Sequence, residues 1–158
     1  MRESENGMPV TEIETWLGRL SICEDDGAIT AVNWNGAPSR DETPLLREAA
    51  KQVEAYLDGR LETFDLPLSP KGGDLHQSVF QAMPAVPYGQ TRTYGDIAKE
   101  LGTYGQPVGQ ACGANPIPII IPCHRILSAN GLGGYSGAGG LDTKIALLKL
   151  EDGYPFLV

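Results

Sequence analysis

The 158-residue sequence predicts an α+β chain in two parts: residues 1–73 as a small hairpin-and-helix domain, and residues 74–158 as a mainly helical one. Two strand-like runs separated by a turn come first, and helical periodicity dominates after residue 74. The charge changes at the same place. Residues 1–73 hold 7 basic and 14 acidic side chains, whereas residues 74–158 hold 5 and 6.

In chain order, Ile13–Cys23 and Ala28–Trp34 read as strands joined by Glu-Asp-Asp-Gly, with Asp-Gly as the hairpin turn. Thr43-Pro44 then opens a helix. Thr43 can accept from a free first-turn N–H, Pro44 suits the first helical position, and Leu46, Ala49, Ala50, Val53 and Leu57 line one face. Gly59 ends it, Leu61–Leu66 is a short strand candidate, and LSPKGGD is a linker. A helix is expected over Leu75–Val86, followed by a turn at Pro87-Tyr88-Gly89. Thr93 and Asp96 mark the start of the next helix, and Gly102 its end. A short helix over Gln106–Gly113 follows after a tight turn, so the pair reads as a helix-turn-helix. Asp142–Leu150 forms the last helix.

The composition excludes several classes. No stretch reaches the ~18 consecutive apolar residues of a membrane helix. The polar N-terminal MRESENGMPVTEIE lacks the apolar core of a signal peptide, so the expectation is a cytoplasmic protein with no membrane partner. Three cysteines without CxxC spacing and two histidines argue against a disulfide framework and a metal centre, and no cofactor is expected. Neither half carries a basic patch, which weighs against tight non-specific DNA binding.

The densest chemistry lies in NPIPIIIPCHRIL, Asn115 to Leu127. Pro116, Pro118 and Pro122 stiffen a greasy run, which then delivers Cys123, His124 and Arg125. Neighbouring positive charge would lower the thiol pKa, and a distant acid such as Glu151 could hold the histidine. The same residues also suit a buried structural cysteine beside a surface His-Arg pair.

PCHRIL, preceded by GQACGANPIPIII and followed by GGYSGAGGLDTK and LLKLE, resembles the O6-alkylguanine-DNA alkyltransferases, also known as methylated-DNA–protein-cysteine methyltransferases. The likeness runs from Leu75 to Gly153 and includes VPYGQTRTYGDIA. It implies an RNase H-like first domain and a winged helix-turn-helix-like second domain carrying the cysteine. It implies single-turnover removal of the alkyl group from O6-alkylguanine in double-stranded DNA, with O4-alkylthymine left open as a second substrate, by a monomer. Cys123 would attack the alkyl carbon of a flipped nucleotide. His124, linked to it through a water and held by Glu151, would take the thiol proton. Tyr94 would assist the leaving base, and Asn115 would fix the cysteine segment. Gly133, Tyr135 and Ser136 would receive the guanine, and Thr93, Gln106, Ala111 and Gly113 would face the DNA.

Two positions depart from the family pattern. Gln106 stands where an arginine is common, and Gly113 where a basic residue is common. Modest affinity with a shallow salt dependence is expected. Three other readings stand beside it: a lesion-binding relative, which the presence of Cys123 disfavours; an acceptor for free alkylated bases or small alkylating compounds; and a thiol redox sensor, for which Cys112 lies close in sequence.

Overall fold

The computed structural model describes residues 8–34, 36, 41–135 and 140–153. Its contacts divide the chain into two units: Met1–Lys71 with Pro116–Ile120, and Gly72–Asn115 with Ile121–Val158. The first unit is therefore not one continuous segment. Five residues of the proline-stiffened run belong to it, although they lie far beyond the boundary expected near residue 73.

In the first unit, β1 (Val10–Thr15), β2 (Gly18–Asp25) and β3 (Ala28–Trp34) form an antiparallel meander. The expected single strand over Ile13–Cys23 is two. The chain reverses at Trp16-Leu17, with Gly18 at φ +102° and the Thr15 hydroxyl accepting from the Leu17 N–H at 3.0 Å. The Asp26-Gly27 turn between β2 and β3 has φ +50° and +78°, as a two-residue type I′ turn requires.

Helix α1 (Pro44–Leu57) is capped by the Thr43 hydroxyl, which accepts from the Leu46 N–H at 3.0 Å. It packs on the sheet, burying Leu46, Ala49, Val53 and Tyr56 with Leu20, Ile22, Ile29 and Val32. Full burial of the leucine, isoleucine and valine side chains stabilises by about 1.5–3 kcal/mol each before entropy is counted. Leu61–Leu66 is not a strand. The only pairing in this part of the chain is a parallel bridge from Leu68 to Ile29. The outer edge of β3 is also covered by the Pro116 carbonyl, which accepts from the Val32 N–H at 2.9 Å. A buried, β-branched Ile119 at φ +74° turns the visiting segment, a conformation that costs about 1–3 kcal/mol and that the surrounding packing must impose.

The second unit holds α2 (Asp74–Ala82), which tightens into a 3₁₀ turn at Met83–Ala85 instead of continuing to Val86. A two-residue strand β4 (Arg92–Thr93) leads directly into α3 (Tyr94–Leu101), which the expected capping box starts and Gly102 ends at φ +70°. Helix α4 (Gly105–Gly113) packs against α2 and α3, giving the helix-turn-helix arrangement. A 3₁₀ turn over Cys123–Arg125, strand β5 (Ile126–Leu127) and α5 (Leu141–Glu151) complete it. Strand β5 pairs in parallel with β4, setting Arg92 opposite Ile126 and Thr93 opposite Leu127. Among the described residues, no helix is long and apolar enough to cross a membrane.

Candidate active site

The chain leaves the second unit after Asn115 and re-enters it at Ile121. The Asn115 side chain clasps the two ends, its Nδ2 donating to the Ile121 carbonyl at 2.9 Å. Pro122 then sits at φ −81°, ψ 68°, and the Cys123 N–H donates to the Ile121 carbonyl at 2.8 Å. This is an inverse γ-turn whose φ the proline ring fixes in advance. The Arg125 N–H donates to the Pro122 carbonyl at 3.0 Å and closes the 3₁₀ turn. Cys123 thus starts a rigid turn, and its sulfur is buried.

Behind the cysteine, the 3₁₀ turn and the Gly89 backbone converge on one carboxylate. Glu151, at the end of α5, takes His124 Nε2 on Oε2 at 2.7 Å. The Arg125 guanidinium grips the same carboxylate with Nε on Oε1 and Nη2 on Oε2, both at 2.9 Å. The Gly89 N–H adds a longer contact to Oε1 at 3.4 Å. Arg125 Nη1 donates to the Val86 carbonyl at 2.8 Å, and its guanidinium lies 5.8 Å from the centroid of the Tyr88 ring. Both Glu151 and His124 are buried.

This arrangement reverses one sequence expectation. The Cys123 thiol is not activated at rest by its neighbours. Burial pushes its pKa up, opposed more weakly by a hydrogen bond from Asn115 and by the charge of Lys144. Burial also holds His124 below its ordinary range, so its ring is neutral. The positive charge of Arg125 is spent on Glu151. With Nε2–H committed to the carboxylate, Nδ1 is the lone-pair nitrogen of the neutral ring.

The Tyr94 hydroxyl is hydrogen-bonded to the Gly134 backbone. Gly133, at φ +73°, cannot be otherwise, because a Cβ there would lie 2.8 Å from the Tyr94 oxygen. Tyr135 follows, with burial raising its phenol pKa. Ser136 lies outside the described residues. Gln106 and Gly113 are exposed on α4, and Thr93 is half-buried and caps α3 by accepting from the Asp96 N–H at 3.0 Å. Ala111 is withdrawn as a DNA contact. It is fully buried between Val108 and Cys112, on the inward face of α4.

Sequence reasoning missed Lys144. Its ammonium is buried and donates to the Ile126 carbonyl at 2.8 Å and the Gly134 carbonyl at 3.0 Å, 5.9 Å from the Tyr94 ring centroid. Burial pushes its pKa down to about 8. The signal was present: Lys144 precedes Glu151 by two helical turns, so both lie on the α5 face that buries Leu147 and Leu148. Lys144→Met is expected to cost about 1–3 kcal/mol, since the Ile126 carbonyl loses its buried donor. Urea unfolding measures that loss. Among the described residues no cluster of His, Cys, Asp or Glu could hold a metal ion.

Fold and site define a helix-turn-helix protein with a buried cysteine beside a histidine–carboxylate pair. The model of the 6-O-methylguanine DNA methyltransferase DNA-binding domain matches residues 74–153, and that of its ribonuclease-like domain matches residues 10–70. The chain belongs to this family. It is 43% identical over 149 residues to the methylated-DNA–protein-cysteine methyltransferase of Methanosarcina acetivorans, covering 87% of this chain and 94% of that protein. The constitutive enzyme of that name from Bacillus subtilis is 40% identical over 155 residues, covering 89% and 93%. A crystal structure of Mycobacterium tuberculosis OGT in complex with DNA superposes with a TM-score of 0.81 at 37% identity, covering 90% of this chain and 92% of that one. The expected α+β class, with a small sheet domain before a helical DNA-binding domain, is the one these relatives share.

Proposed function

We propose that the protein repairs DNA by direct reversal, moving the alkyl group of O6-alkylguanine onto Cys123. The observation that carries this reading is Cys123 buried in a proline-fixed turn, with His124 held by Glu151 at 2.7 Å. The names of the relatives and the DNA-bound neighbour support the substrate class.

The target carbon is unreachable within the base stack, so the nucleotide has to leave the duplex. As the guanine enters, His124 takes the thiol proton on Nδ1, through a water, and Glu151 stabilises the imidazolium that forms. The sulfur lone pair makes the new S–C bond while the C–O6 bond breaks, and guanine leaves with a proton taken up on the ring. Tyr94 supplies the hydroxyl that assists that proton. Gly133, Tyr135 and Ser136 receive the base, and Thr93, Gln106 and Gly113 face the duplex. Asn115 holds the sulfur in place, where a misplacement of ~1 Å could cost about 100-fold. The product is a thioether with no ready leaving group, so each molecule reacts once. The nucleophile, its histidine and its carboxylate come from one chain, which fits action as a monomer.

The test is mass spectrometry after incubation with a duplex containing O6-methylguanine. One added methyl on the Cys123 peptide, absent in Cys123→Ala, is expected. Methylation by the free base but never by the duplex would instead favour a small-molecule acceptor. The redox reading is disfavoured by Cys112. Its thiol is buried against the Met83 sulfur at 3.8 Å, and its pKa is pushed up to about 12, the reverse of what a resolving thiol needs.

A further inference from the structure

We propose that Tyr104 is a base-stacking contact to DNA at the head of α4, a role that rests on the repair reading above. A single exposed ring is ordinary on a protein surface. This one stands where a helix-turn-helix meets base edges, at the N-terminal end of its second helix. Tyr104 is 80% exposed, more than any other large hydrophobic side chain among the described residues.

Folding gives no reason for a tyrosine here. Thr43 and Thr93 cap α1 and α3 with side-chain hydrogen bonds, whereas Tyr104 is the N-cap of α4 and makes none. Serine, threonine, aspartate or asparagine would serve the helix better at this position. The ring is 80% exposed and caps nothing, so its use lies outside the folded chain.

Its neighbours point to the same surface as the site. A Cβ on Gly105 would lie 3.9 Å from both the Tyr94 Cβ and the Gly95 nitrogen, so the chain at Tyr104 runs beside the residue that flanks the Gly133–Gly134 backbone. Cations are scarce on this unit. Helix α4 has none, Arg92 is tied to Glu100 at 2.8 Å, Arg125 and Lys144 are buried, and Lys99 and Lys149 are the exposed lysines. Phosphate neutralisation is therefore limited, and affinity has to come from contacts that need no charge. When the target nucleotide leaves the stack, the bases beside the gap lose a stacking neighbour. An aromatic ring replaces it whatever the sequence.

Three variants test this: Tyr104→Phe, Tyr104→Ala and Tyr104→Ser. The serine variant removes the ring yet supplies the missing cap, so its thermal stability should equal or exceed the parent's. Duplex affinity, measured by fluorescence anisotropy over a range of salt, should fall about 10-fold in the serine and alanine variants and stay parental in Tyr104→Phe. The slope of log Kd against log salt should not change, because no charge is lost. The ratio of methyl-transfer rates on duplex and on free O6-methylguanine should fall by the same factor. A serine variant that binds duplex as tightly as the parent would overturn the proposal, as would a phenylalanine variant as weak as serine. A parent that binds duplex but leaves Cys123 unmethylated would instead overturn the repair reading, with the affinity series still deciding the role of Tyr104.

Discussion

Glu151→Ala is expected to lose about 3–5 kcal/mol of stability, because it strips the partner from a buried guanidinium. The carboxylate receives two Arg125 nitrogens and His124 Nε2 within 2.9 Å, and the Glu151 side chain is wholly shielded. Methyl transfer should fall further than folding alone explains, on the order of 100-fold or more, since His124 loses both its orientation and the charge that stabilises its protonated form. Denaturant unfolding separates the two effects from single-turnover rates measured below the unfolding midpoint. Glu151→Gln is the sharper variant: it keeps the shape but removes the charge. A glutamine variant with parental stability and rate would show that the carboxylate is only a packing element.

The second large effect is on pH dependence. A thiol whose pKa is raised keeps its proton at neutral pH, and its thiolate fraction grows about tenfold per pH unit until the folded pKa is reached. Alkylation of Cys123 by iodoacetamide in the free protein should therefore be slow near neutrality and climb steeply with pH. Peptide mapping separates it from Cys23 and Cys112. A rate that is flat between pH 6 and 8 would mean a resting thiolate, contradicting the burial argument. Transfer from duplex DNA should behave differently, because His124 accepts the proton in the closed complex. Since burial lowers the histidine pKa, its acid limb should lie below the ordinary 6.5. The contrast between the two profiles would locate the activation of the thiol in the substrate-bound state.

Much of the molecule was legible from short-range patterns. The Thr43 and Thr93 caps, the Asp26-Gly27 turn, the αL stop at Gly102 and the small-residue helix all depend on dihedral preferences within a few residues. The reactive segment was legible for the same reason, since three prolines restrict the backbone wherever they occur. The errors were also local in origin. Trp16-Leu17 lacks the usual turn residues, so its reversal was hidden inside an apparent strand. Leu61–Leu66 has strand-like composition, but β3 is bordered instead by Leu68 and Pro116.

The sequence by itself determined the order of the helices, the family resemblance and the identity of the candidate nucleophile. Tertiary structure alone decided its electrostatics: a thiol raised by burial, a histidine kept neutral, an arginine spent on Glu151 and a lysine bound to the Ile126 and Gly134 carbonyls. It also turned Ala111 inward and Tyr104 outward. The physical reason is distance along the chain. Caps and turns are settled between residues a few positions apart, whereas the Arg125–Glu151 pair joins residues 26 apart, and desolvation depends on everything packed around a group.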